Sequence, residues 1–230
     1  MDKIMNVTPT QIPQDLRPTV DVIQAEILKR ICFLDYPPGR QLKEADLAQE
    51  FGVSRTPVRD AISRIKHLGL VETRNGVGTV VVALPDDQIR HVYEMRLHLA
   101  TLIGTLSPRK ITAPDRQRVG DLLVEVKALE QEFDPRRYVE LNHRLHILVV
   151  DLIGNTSLQS FWWQTYCQAA STWHRIAKLT GADAATALVR EVQDLVQAME
   201  HGDLSAVGFV QRIHIGYGFD RIQKHLLHSE

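Results

Sequence analysis

The sequence predicts a mainly α-helical protein in two parts: three helices followed by a two-stranded hairpin, then an all-α helical bundle. Three observations predict it. Apolar residues recur at steps of three and four through most of the chain, the spacing of one helix face. β-branched residues concentrate around residues 70–82, on both sides of a glycine-bearing turn. After Ala83-Leu84-Pro85 strand signals stop and helical periods run almost to the end. The chain therefore divides into an arm over 1–16, a first domain over 17–84 and an all-helical second domain over 85–230.

The 230 residues suit two domains of ordinary size. With 44% apolar and 24% charged residues, the composition is that of a folded globular protein. The opening MDKIMNVTPTQIPQ has no apolar signal-peptide core, and no apolar run approaches the roughly 18 residues that cross a bilayer. A cytoplasmic location is expected. Cys32 and Cys167 are too few for a disulfide framework or a thiolate metal cluster and read as buried thiols. The net charge of -1 argues against a protein that coats nucleic acid non-specifically. Its distribution says more, because Ser54 to Lys66 gathers Arg55, Arg59, Arg64 and Lys66 against Asp60 alone. That is the footprint of a confined DNA-contacting surface.

Taken in order, residues 1–16 are polar, contain Pro9 and Pro13, show no apolar period and read as a mobile arm. Val20, Ile23, Ile27, Ile31 and Leu34 mark the first helix, over 20–33, which Pro37-Pro38-Gly39 stops. A short second helix over 42–51 turns Leu42, Ala45, Leu47, Ala48 and Phe51 inward and ends at Gly52. Ser54 can cap the third, Pro57 falls in its first turn where a missing N–H removes no bond, and Val58, Ile62 and Ile65 share a face. Segments 70–73 and 79–82, joined by Arg74-Asn75-Gly76-Val77-Gly78, form the hairpin. Helices then follow at about 86–106, 114–131, 135–153, 156–178, 183–200 and 203–226. Pro108, Pro114, Asp134-Pro135, Gly154-Asn155, Gly181 and His201-Gly202-Asp203 punctuate them. Gly216 and Gly218 interrupt the last helix for no reason visible in the sequence.

Helix, helix, helix and hairpin in that order make a winged helix-turn-helix, whose third helix lies in the major groove while the second braces it. Arg55 and Arg59 are four residues apart, on a face offset from Val58, Ile62 and Ile65, so both guanidiniums can face DNA while the helix packs inward. An arginine fork binds guanine O6 and N7, or clamps a phosphate. Ser54, Thr56 and the helix N-terminus can add phosphate contacts. An isolated helical arginine pair is more often plain solvated charge. Placement between a glycine turn and a wing reverses that reading.

The stretch PPGRQLKEADLAQEFGVSRTPVRDAISRIKHLGLVETRNGVGTVV resembles the GntR family of regulators, most specifically in SRTPVRDAI. The resemblance implies that Arg55 and Arg59 read the operator and that Asn75 and Gly76 occupy a wing tip entering the minor groove. Ala45 stands where some members carry a DNA-contacting arginine. RLHLATLIGTLSPRK and NHRLHILVVDLIGNTSLQS look like the FCD effector domain of the FadR subfamily. Many such domains hold a divalent metal, zinc or nickel, with an Asp or Asn, a His four residues later and two further histidines. The matching positions here are Asn142, His146 and His214, while Val192 takes the place of the remaining His. Two imidazoles and one neutral oxygen make a poor set, and His143, His174 or His201, each more simply a surface or helix-end histidine, would have to complete it. The alternative is that Asn142, His146 and His214 bind an organic anion directly, with Arg96 as the charged partner of its carboxylate, or else as half of an internal salt bridge. Of Trp162, Trp163 and Trp173, some should be core packing. His225 and His228 read as solvated.

Together these readings give a DNA-binding transcription regulator, expected to be a repressor acting as a homodimer on paired half-sites and releasing operator DNA when a small carboxylate binds. A metal-responsive regulator is the alternative. A helical-bundle metalloenzyme is the remaining class, disfavoured because the chain has no HExxH, no Gly-x-Ser-x-Gly elbow and no phosphate-cradling glycine loop.

Overall fold

A computed structural model describes residues 18–227. The arm over 1–16 and His228 lie outside the described residues. The chain separates into two compact units, 1–84 and 85–230.

In the first unit, α1 (Val20–Cys32), α2 (Glu44–Phe51) and α3 (Arg55–His67) precede strands β2 (Val71–Arg74) and β3 (Gly78–Val81). Helix α1 packs on α3, and Ile23, Ile27 and Ile31 of the one and Val58, Ala61 and Ile65 of the other are buried in the core. Two expectations are corrected. Residues 41–42 do not begin the second helix: they form β1 (Gln41–Leu42), which pairs antiparallel with β3 through Gln41↔Val80, so the sheet has three strands in the order β1-β3-β2. Leu42 keeps its inward place, buried from a strand instead of a helix. Ala45, in turn, is exposed on α2. The wing closes through Arg74↔Gly78, with Gly76 at φ 75° and Gly78 at φ 100°, conformations that glycine adopts without strain.

The second unit is α4 (Asp86–Leu102), α5 (Ala113–Gln131), α6 (Pro135–Leu152), α7 (Thr156–Thr180), α8 (Ala182–Glu200) and α9 (Leu204–His225). Asp134, Asn155 and Asp203 cap α6, α7 and α9 by accepting from the backbone N–H three residues on. Helix α4 packs between α9 and α7, and α5 packs on α8. The α4–α9 crossing is close because of two glycines: a Cβ on Gly208 would sit 2.7 Å from the Ala100 carbonyl oxygen, and one on Gly104 would sit 2.4 Å from that of Leu204. Either methyl would push the helices apart. The loop before α5 is fastened by Asp115, 2% exposed, whose carboxylate accepts from Arg109 at 2.9 and 3.0 Å, from Arg118 at 2.7 Å and from Thr112 N–H and O–H. Burial alone would raise its pKa; these donors carry it well below the usual carboxylate range. Among the described residues no helix is long and apolar enough to cross a membrane. Cys32 and Cys167 are both buried and unbridged.

Candidate functional site

The first unit presents a polar surface built by α3. Val58, Ala61, Ile62 and Ile65 are spent on the core, which turns Arg55, Thr56 and Arg59 outward. Ser54 occupies the cap position but its side chain makes no capping hydrogen bond, contrary to the capping expected, and it too is exposed. Arg55 has no ion-pair partner among the described residues, and Arg59, 64% exposed, leans on Glu44 of α2 at 3.3 Å. Such an exposed pair is worth little and can yield to a phosphate. The rest of the basic stripe is used within the unit, since Arg64 pairs with Asp21 at 2.6 Å and Lys66 donates to Thr73 at 3.2 Å. Asn75 and Gly76 are exposed at the tip of the β2–β3 turn.

The second unit holds a half-open cavity with mixed polar and aromatic walls, of about 630 Å³ when the space at its mouth is included. Arg96, Asn142, His146 and His214, expected to act together from three separate helices, all line it. Arg96 is 4% exposed, and its Nε and Nη1 have no hydrogen-bond partner. Among the described residues it does not form the internal salt bridge considered for it: its guanidinium carbon lies over the rings of Trp162 at 5.2 Å and Trp173 at 5.4 Å. Burial pulls its pKa below the usual arginine value. His146 stacks on Tyr166 with ring centroids 3.6 Å apart, and its Nε2 is also unpartnered. Burial, reinforced by Arg96 and His143, holds its pKa well below the ordinary histidine value, so the ring is neutral. The Tyr138 phenol is pushed up to about 12 by burial and stays protonated.

This donor set does not fit a metal ion. Among the described residues no three His, Cys, Asp or Glu are grouped to hold one. His214 Nε2 is engaged with Asp194 at 2.8 Å, Asn142 offers only a neutral amide oxygen, and His146 shares its surroundings with a guanidinium that repels cations. Val192 is fully buried in the core, and none of His143, His174 and His201 lines the cavity. His143 instead lies 2.6 Å from the Tyr166 hydroxyl, and His225 is exposed in the last turn of α9.

Several lining residues escaped sequence reasoning: Tyr93, Tyr166, Glu191, Gln211 and Arg221. Glu191 immediately precedes Val192, so a one-residue step exchanges a core valine for a cavity carboxylate. Gln211, His214, Gly218 and Arg221 form one stripe of α9 at helical spacing, a signal present in the sequence. Gly218 lines the cavity, and a Cβ there would meet nothing within 4 Å, so packing does not require glycine at this position. Among the tryptophans, Trp162 is fully buried, Trp163 stacks on Tyr166, and Trp173 lines the cavity while donating its indole N–H to Tyr93 at 2.8 Å.

A recognition helix with outward arginines beside a wing, followed by a helical unit whose cavity holds buried polar groups, defines a DNA-binding transcription regulator. Residues 19–81 match the family of bacterial regulatory proteins called gntR, and residues 91–216 match the FCD domain. The chain belongs to the GntR family of regulators, in its branch with an FCD domain. It is 25% identical over 207 residues to the HTH-type transcriptional regulator YdhC of Bacillus subtilis, covering 87% of this chain and 88% of that one. It is 29% identical over 126 residues to a protein of Paenarthrobacter nicotinovorans named "Probable D-xylose utilization operon transcriptional repressor", covering 55% of each chain. In fold it resembles E. coli McbR/YncC, with a TM-score of 0.77 at 15% identity over 91% of this chain and all of that one.

Proposed function

We propose that this regulator is a cytoplasmic homodimeric repressor whose operator affinity is lowered when a small organic acid, bound without a metal, occupies the cavity of the helical unit. The observation that carries the reading is the buried guanidinium of Arg96 with two unpartnered N–H groups. An uncompensated buried charge is costly, and a carboxylate matches the arginine fork with two charge-assisted bonds. His146, neutral and unpartnered at Nε2, supplies a further polar contact. Arg96 stands on α4, and α4 follows the wing strand β3 after only Val82-Ala83-Leu84-Pro85, so a ligand that shifts α4 acts on the chain segment leading straight to the wing. Occupied and empty protein would then differ in operator affinity, the requirement for coupling. Ser54, Arg55, Thr56, Arg59, Asn75 and Gly76 are the proposed DNA contacts.

The test is salt-titrated binding to the DNA upstream of the gene, with wild type, Arg55→Ala and Arg59→Ala. Each variant is expected to lose about 1–3 kcal/mol of specific binding, with a steep salt slope in wild type. Their melting temperatures should stay unchanged. Equal binding by all three proteins would refute the operator-reading role.

A further inference from the structure

The cavity holds charges of both signs that do not meet. Glu191 of α8 lines it together with Arg96 of α4 and Arg221 of α9. Among the described residues Glu191 forms no ion pair with either arginine, and Arg221, like Arg96, has an unpartnered Nε. The Glu191 carboxylate accepts a single hydrogen bond, from Gln211 at 2.9 Å. Burial pushes its pKa up, so its charged form gains from any cation that reaches it. The remaining wall is aromatic, with Tyr93, Tyr166 and Trp173, and ring faces suit a cation better than an anion. An organic acid alone would engage the guanidiniums and leave Glu191 without an ion-pair partner, its charge offset only through space by His214, Arg96 and Arg221.

We infer that the effector is zwitterionic: an α-amino acid or a close amino-carboxylate, its carboxylate held by Arg96 and Arg221 and its ammonium group by Glu191. This rests on the carboxylate reading above and narrows it. The ligand spans, within one molecule, the two signs that the cavity keeps apart. The ammonium pairs with Glu191 while the carboxylate completes the arginine forks, and Gln211 holds the Glu191 side chain in place.

The experiment is calorimetric titration and thermal shift of the full chain with matched sets of probes. Each set holds an amino acid, its 2-hydroxy acid and its deaminated acid: L-leucine, 2-hydroxyisocaproate and 4-methylvalerate; L-glutamate, 2-hydroxyglutarate and glutarate; L-phenylalanine, 3-phenyllactate and 3-phenylpropionate. In at least one set the amino acid should bind at least about tenfold more tightly than both analogues, a buried carboxylate being left unpaired by either. Glu191→Gln should bring that ratio to within about twofold while binding of the deaminated acid survives; Glu191→Asp, which keeps the charge, should retain part of the preference. Arg96→Met should abolish binding of every probe. Deaminated acids that bind as well as amino acids, or a preference that Glu191→Gln leaves intact, would overturn the inference and leave the carboxylate reading standing. Absence of binding by every set would overturn both.

Discussion

The two units use arginine in opposite ways. On α3 the guanidiniums of Arg55 and Arg59 stand in water, and Arg59 touches only a half-exposed Glu44. In the helical unit Arg96 is buried over two tryptophans and, among the described residues, forms no ion pair with a carboxylate. An exposed arginine costs nothing to keep free, so it waits for a polyanion that arrives from outside and pays with released counterions. A buried one is expensive to leave unpaired, and that expense is tolerable where a ligand of opposite charge belongs. Arg109 and Arg118 supply the contrast within the same unit, since both close on the buried carboxylate of Asp115. Burial and the presence of a partner separate a surface for DNA, a structural clamp and a ligand site.

The largest effect should come from breaking the clamp. Asp115→Ala removes a carboxylate that five donors share and leaves two guanidiniums without it. Because Arg109 and Arg118 remain partly in water, the expected loss is about 2–3 kcal/mol, below that of a fully buried pair. For a unit of this size the melting temperature should fall by roughly 5–10 °C. Sign matters here: the folded-state pKa of Asp115 is depressed, so its contribution is present above the ordinary carboxylate pKa and disappears as pH falls through the folded value. Wild type and variant should therefore converge in strong acid. A constant difference at every pH would show that Asp115 acts by packing and not by charge.

How much of this was legible in the sequence depends on whether the signal was local. The helices of both units follow from apolar spacing, and their ends from Pro, Gly and Asp caps, because those effects reach only a few residues. The third strand did not, since Gln41 and Leu42 become a strand only by pairing with Val80 and Thr79, nearly forty residues away. The meeting of Arg96, Asn142, His146 and His214 came from family resemblance, as no spacing joins α4, α6 and α9. Glu191 was hidden by attention to Val192: a motif marks the position where a ligand should stand, while the cavity is lined by whichever side chain the helix turns toward it. Arg221 was readable from the α9 stripe, but its lack of a partner depends on packing that only three dimensions provide.

Replacing the orphaned arginine sharpens the comparison with a change of opposite sign. Arg96→Met keeps much of the volume and removes the charge, so the ligand-free protein should gain about 1–2 kcal/mol, as buried charges replaced by apolar residues commonly allow. Chemical unfolding of wild type and variant would measure it, with operator binding in the absence of effector as the control. That binding should not change, because Arg96 belongs to the other unit. A marked loss of stability would mean that Arg96 is a structural residue like Arg109, and the distinction between clamp and site would collapse.

The smallest effect concerns His146, another lining group with an unpartnered nitrogen. Its folded-state pKa lies below the ordinary histidine value of 6.5 because of burial first and the Arg96 charge second. A depressed pKa means that the unfolded chain takes up the proton more readily, so stability is full above the unfolded value and declines as pH falls below it. Between pH 6.5 and 5.5 the decline should be about 1 kcal/mol. Glu191 acts in the opposite sense, since its pKa is raised and its contribution is lost as pH rises. Wild type alone would therefore show a blurred curve, and the informative quantity is the difference between wild type and His146→Phe across that interval. The difference should shrink as the solution is acidified, because only wild type carries an imidazole that burial keeps from protonating. If the two curves stayed parallel, His146 would titrate as freely as an exposed histidine, and the cavity around Arg96 would have to admit enough water to solvate a charge, which would also remove the reason for a ligand to supply one.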